Sequence, residues 1–101
     1  MITVLVKFKI SDDLNLKTLK EKFIETSEIY IDVEGLLRKN YIADIENGFA
    51  GGVYTFLTIE NAKTWFNEDR IKWITERYSK PEITYYESPV IVDNEKNKII
   101  S

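Results

Sequence analysis

Leu36-Leu37-Arg38-Lys39-Asn40-Tyr41-Ile42-Ala43 and Gly51-Gly52-Val53-Tyr54-Thr55-Phe56-Leu57 stand on either side of Asn47-Gly48, and these segments decide the fold. The second run is rich in β-branched and aromatic residues, which suit a pleated surface, and Asn-Gly accepts the positive backbone angles of a tight hairpin turn. The two runs therefore form an antiparallel hairpin in the middle of the chain. Upstream, Ile2, Val4, Val6, Phe8 and Ile10 alternate with Thr3, Leu5, Lys7 and Lys9, the period of a strand with one strongly buried face. Between that strand and the hairpin, Ser11-Asp12-Asp13 and Asn15 offer helix caps, after which Leu16, Leu19, Phe23 and Tyr30 recur at near-helical spacing. The charged positions among them, Lys17, Lys20, Glu21, Lys22, Glu25 and Glu28, read as a solvated face.

Downstream of the hairpin, Thr58 is a cap for a helix carrying Ala62, Trp65 and Phe66. Asn67-Glu68-Asp69 offers a fresh cap before Ile71, Ile74 and Tyr78, so the stretch is one bent helix or two. Pro81 ends it, since proline cannot continue a helix and biases Lys80 toward an extended backbone. Glu82 to Asp93 is expected as the last strand, with Pro89 marking an edge, a bulge or a change of partner. Residues 1–93 then make one domain and residues 94–101 a polar C-terminal tail. The order strand-helix-strand-strand-helix-strand is that of the ferredoxin-like α+β fold, an antiparallel four-stranded sheet with both helices on one face. That leaves the other face bare, although Leu5, Val53, Leu57, Tyr85, Tyr86 and Val92 put apolar or aromatic side chains at both parities. The expected cover is a second copy of the chain, giving a homodimer with sheets packed face to face.

Composition narrows the chemistry. The 101 residues, 44% hydrophobic, suffice for one core and leave no room for a second domain. A formal charge of −3 supplies no positive field for a phosphate backbone, which argues against nucleic acid as a partner. Without Cys there is no disulfide, thiolate nucleophile or Cys-based metal site, and without His the usual near-neutral base and haem ligand are missing. The acidic residues are scattered, so no metal site is expected. Met1 runs directly into the first strand, with no targeting segment and no bilayer-length apolar run, and the expected location is the cytoplasm.

Several blocks resemble a known family. Gly35 to Tyr41, Ala50 to Phe56, Arg77-Tyr78 and Pro81 to Val90 are similar to the YdhR-like mono-oxygenases of the dimeric α/β-barrel superfamily, which also holds the antibiotic-biosynthesis mono-oxygenases. The resemblance covers most of the chain from Gly35 onward, while the first third agrees only in pattern. It implies a ferredoxin-like subunit, a dimer whose sheets form a barrel, and a pocket between sheet and helices in each subunit. It also implies oxidation of a small aromatic or phenolic compound by O₂ without metal, flavin or other cofactor.

Such chemistry requires a bound ring, a favoured deprotonated form and exclusion of water. Arg38 and Lys39 can stabilise an oxyanion, and Asn40, Tyr41 and Tyr54 can hydrogen-bond a quinol oxygen; Arg38, Asn40 and Tyr54 are the candidate catalytic residues. Trp65, Phe66 and Tyr86 are the candidates for sandwiching the ring. Strand alternation sets Arg38 and Asn40 on one face and Lys39 and Tyr41 on the other, and only one pair can look into a helix-covered pocket. Arg38 and Asn40 are preferred because guanidinium stays charged when partly desolvated; a register shift of one residue would exchange the pairs. Gly51-Gly52 lacks the spacing of a phosphate loop and reads as a bulge or a close backbone approach. The alternative to an oxygenase is a non-catalytic dimer that binds a small molecule in the same pocket.

Overall fold

The alternation at the N-terminus becomes β1 (Ile2–Lys9), in which Ile2, Val4, Val6 and Phe8 are buried and both lysines exposed. The computed structural model describes residues 1–101. After β1 come α1 (Leu16–Ser27), a 3₁₀ turn at Glu28–Tyr30, β2 (Leu36–Asp44), β3 (Phe49–Phe56), α2 (Ile59–Trp65), α3 (Glu68–Arg77) and β4 (Glu82–Glu87). The sheet order is β2-β3-β1-β4 with every pair antiparallel, which is the expected ferredoxin-like α+β fold. Leu19 of α1, Ala62 and Phe66 of the α2 segment and Ile74 of α3 close over Val4, Val6, Tyr54 and Phe56 to make one core on one face of the sheet. No helix is long and apolar enough to cross a membrane.

Capping explains where the helices begin. Asn15, not the Ser11-Asp12-Asp13 run, caps α1: its side chain accepts the Thr18 N–H while the Thr18 hydroxyl oxygen accepts the Asn15 N–H. Thr58 accepts the Asn61 N–H and Asn67 accepts the Arg70 N–H, so the chain between Thr58 and Tyr78 is two helices that separate at Phe66.

The last strand is shorter than its sequence pattern predicts. β4 stops at Glu87, because Pro89 has no N–H to give to a ladder. The chain re-forms as β5 (Ile91–Asp93), which pairs with β6 (Lys98–Ile100) through a turn where Asn97 takes a positive φ of 56°. The residues expected as a polar tail are thus half of a small hairpin. It folds back toward Met1, Leu37, Arg38, Thr55 and Leu57 on the side of the sheet away from the helices, and Glu95 pairs there with Arg38 at 3.0 Å.

Gly51-Gly52 is a close approach, as its composition predicts. A Cβ at Gly51 would sit 1.8 Å from the Val6 carbonyl oxygen, a backbone atom that cannot swing aside. Gly51→Ala should therefore lower stability by roughly 1–3 kcal/mol, the range for overpacking against fixed structure. Urea unfolding of the two proteins measures this, and a change below about 0.5 kcal/mol would contradict the packing described.

Candidate active site

Register decides which side chains of β2 reach the helical layer. Lys39 lies opposite Tyr54 and Tyr41 opposite Gly52, while Arg38 faces Thr55 and Asn40 faces Val53. Tyr54 is buried beneath the helices, so its partner Lys39 shares that side. An irregularity between Leu36 and Arg38 inserts Leu37 and shifts the alternation, so that Leu36 and Lys39 both point inward. The expected facing is therefore reversed: Lys39 and Tyr41 look into the helix-covered side, and Arg38 and Asn40 lie exposed on the outer face.

A cavity of about 30 Å³ lies between sheet and helices, with Tyr30, Lys39, Tyr41, Tyr54, Arg77 and Tyr78 among its walls. One water needs roughly 10–15 Å³ by this measure, so the cavity holds about two. A surface pocket of about 260 Å³, lined by Ser27, Ile31, Leu36 and Leu37, shares Tyr30, Lys39 and Tyr41 with the cavity. Those three side chains form the partition between inside and outside. A further groove, about 440 Å³ between α1 and β2, shares Phe23 and Tyr41 with the cavity.

Lys39 is the chemical centre of this arrangement. Its Nζ lies 3.4 Å from the Tyr30 ring centroid, 3.6 Å from Tyr41 and 4.9 Å from Tyr54. No carboxylate stands within ion-pairing distance of it. Burial, and after it the nearby Arg70 charge, pull the amine from 10.5 down to about 6. At neutral pH it is mostly a free base.

The surrounding phenols move the opposite way. Burial raises Tyr30 to about 12 and pushes Tyr54 and Tyr41 upward as well, so all three keep their protons. The Thr26 hydroxyl donates to the Phe23 carbonyl, which leaves its oxygen to accept from Tyr41 at 2.8 Å. Phe23 stacks on Tyr41, and Phe8 stacks on Tyr78, each with centroids 4.5 Å apart. Arg77 is held by the Lys22 carbonyl and Glu25, and its buried Nε has no acceptor, a cationic donor left available at the cavity wall.

The candidate residues separate into two groups. Tyr54 lines the cavity, Phe66 packs edge-on against it at 4.9 Å, and Trp65 meets Tyr30 edge-on at 5.3 Å. Tyr86 lies opposite Thr3 on the outer face, 54% exposed, so it cannot sandwich a ring with Trp65 and Phe66; Tyr85 is the inward member of that pair. Arg38 is exposed and paired with Glu95. Tyr30, Arg77 and Tyr78 are site residues that the sequence pattern treated as core or helix ends. The opening for Lys39 was visible as an amine flanked by Tyr41 on the same parity and set opposite a strand with two glycines.

No protein-family model matches the sequence, and no curated protein matches it. Among solved structures, the fold is similar to a candidate antibiotic biosynthesis monooxygenase from Deinococcus radiodurans, with a TM-score of 0.69 and 13% identity over 92% of this chain and 97% of that one. It is also similar to a variant of SnoaB, a cofactor-independent oxygenase from Streptomyces nogalater, with a TM-score of 0.62 and 10% identity over 86% of this chain and 91% of that one. The likeness is one of fold.

Lys39 makes stability depend on pH in a readable window. Its folded pKa of about 6 lies below the unfolded value, so between the two the unfolded chain carries the extra proton and stability rises with pH. Melting temperature should climb from pH 6 to pH 9 in the native chain, and Lys39→Met should flatten that climb and melt higher at pH 6. Parallel profiles for the two proteins would contradict the placement of the amine.

Proposed function

We propose that this protein is a homodimeric, cofactor-independent oxygenase of small phenolic or anthrone-like compounds, with Lys39 as the proton acceptor. The observation that carries the reading is a buried amine with no carboxylate partner, enclosed by phenol rings and lowered into the range of a base at neutral pH. The likeness of fold to SnoaB, a cofactor-independent oxygenase, supports it.

The chemistry balances without a further reductant. Lys39 takes a proton from an acidic C–H or O–H of the substrate, and the resulting anion gives an electron to O₂. Recombination forms a carbon–oxygen bond, and loss of water turns a CH₂ into a carbonyl: one O₂ enters, one oxygen stays and the other leaves as water. Tyr30 and Tyr54 keep their protons and can donate to the developing oxyanion, and Arg77 offers it a positive charge. The ring walls of the site suit a flat substrate.

The dimer rests on the outer face. Leu5 and Val53 are half-buried there in a lone subunit, Leu57 and Tyr86 are exposed, and Val92 and Ile99 of the hairpin add to the uncovered apolar surface. A second copy covers these side chains, and sedimentation equilibrium at micromolar concentration should give twice the chain mass. A stable monomer would remove the dimer from the proposal.

Oxygen uptake with an anthrone, using metal-free and flavin-free protein, tests the reaction. Lys39→Met should lower kcat by about 10²-fold, the usual worth of a positioned base, while Arg38→Ala should change it less than about twofold. Activity that survives Lys39→Met would sink the role given to the amine. Quenching of Trp fluorescence by the anthrone with no product would favour the non-catalytic binding dimer.

A further inference from the structure

We propose that Lys39 also captures small aromatic aldehydes as a covalent imine, through the surface pocket bounded by Ser27, Tyr30, Ile31 and Leu36. The inference uses the same amine as the oxygenase reading but needs neither O₂ nor turnover. It starts from position: the Lys39 side chain lines both the inner cavity and the surface pocket and keeps partial exposure, so it stands at the boundary between the two. The surface pocket, about 260 Å³ and lined by five hydrophobic residues of eight, has room for a small aromatic aldehyde. Tyr30 and Tyr41 present their faces to the amine at 3.4 and 3.6 Å, which sets an incoming ring among aromatic walls.

The step conserves atoms and electrons. The Nζ lone pair attacks the aldehyde carbon and the carbonyl oxygen becomes a hydroxyl on a tetrahedral carbinolamine. Protonation of that hydroxyl expels water, and nitrogen keeps a double bond to carbon, so the net change is amine plus aldehyde to imine plus water. The proton for departing water comes from solvent or from the Tyr30 hydroxyl, which burial keeps protonated. The lack of a nearby carboxylate matters here, since an ion pair would hold the amine as a non-nucleophilic cation.

Selectivity among amines is the consequence to be read. At pH 7 an ordinary exposed lysine is free base in only about one molecule in a few thousand. The full chain is incubated under nitrogen with 4-hydroxybenzaldehyde and cyanoborohydride, which reduces the imine to a stable secondary amine. Intact mass and peptide mapping then locate the adduct. The expected result is a single adduct, on Lys39 in more than about 80% of labelled molecules, and absent from a folded Lys39→Arg chain. Label spread over surface lysines, label concentrated on Met1, or no label at all would each overturn the proposal. Because O₂ is excluded and no product is released, labelling of Lys39 without oxygen uptake in air would keep this inference and reject the oxygenase, and the reverse pattern would do the opposite.

Discussion

At Gly52 the helix-facing side of the sheet carries no side chain, in the row that runs from Val6 through Gly52 to Tyr41. Room left there is taken by the Tyr54 ring and the Lys39 stem, whose nearest carbons would lie 2.9 and 3.2 Å from a Cβ at that glycine. A residue of ordinary size would push both away and fill the space beside the cavity. Gly51 plays the matching part toward the backbone, because β1 can approach β3 there only without a side chain between them. The site is therefore an absence built into the middle of the sheet, with a long amine and three phenols arranged around it.

That arrangement is expensive in free energy. A charged amine in a dry site pays desolvation, and ring faces return only part of it. A carboxylate placed beside Lys39 would relieve the cost and fix the positive charge, yet the acidic side chains that do form ion pairs here, Glu95 with Arg38, Glu76 with Lys72 and Glu25 with Arg77, are themselves exposed. Those surface pairs add little to stability because water and salt screen them. A buried, unpaired amine is the reverse case: poor for stability, and suited to accepting a proton or attacking a carbonyl carbon at neutral pH. The phenols complete the contrast, since the same burial that frees the amine of its proton keeps theirs in place.

The fold was legible because its signals are local and repeat. Period-two alternation in Ile2–Phe8, the Asn47-Gly48 turn, and caps at Thr58 and Asn67 each act over a few residues and lead to elements that the structure contains. The C-terminal hairpin was harder, because β5 and β6 are three residues each and depend on Pro89 ending one ladder and Asn97 turning the next. The facing of β2 could not be read from the alternation alone. Arg38 and Lys39 are adjacent cations, and only the irregularity at Leu37, set by the pairing with β3 at the open end of the hairpin, decides which one goes inward. Tyr30, Arg77 and Tyr78 became site residues through packing between α1, the 3₁₀ turn and α3. Such contacts leave no periodicity of their own.

Tyr30 and Tyr41 line both the inner cavity and the surface pocket, and they are not equally held. Tyr41 sits within β2, donates its hydroxyl proton to Thr26 and stacks on Phe23, so moving it would break a ladder position, a hydrogen bond and a ring stack together. Tyr30 ends a three-residue 3₁₀ turn capped by a bond from the Ile31 N–H to the Glu28 carbonyl, with Ile29 and Ile31 exposed on either side of it. Its ring touches Tyr41, Tyr54 and Trp65 at tilted or edge-on angles, with centroids 5.3 Å apart or more. Short 3₁₀ segments have weaker hydrogen-bond geometry than α-helices, so the turn is the element that yields at least cost. Outward movement of Tyr30 would join the 30 Å³ chamber to the 260 Å³ pocket and uncover the Lys39 amine, leaving Tyr41, Tyr54 and the glycine-lined floor unmoved. A ligand that enters by this route meets the base first and the fixed phenols behind it.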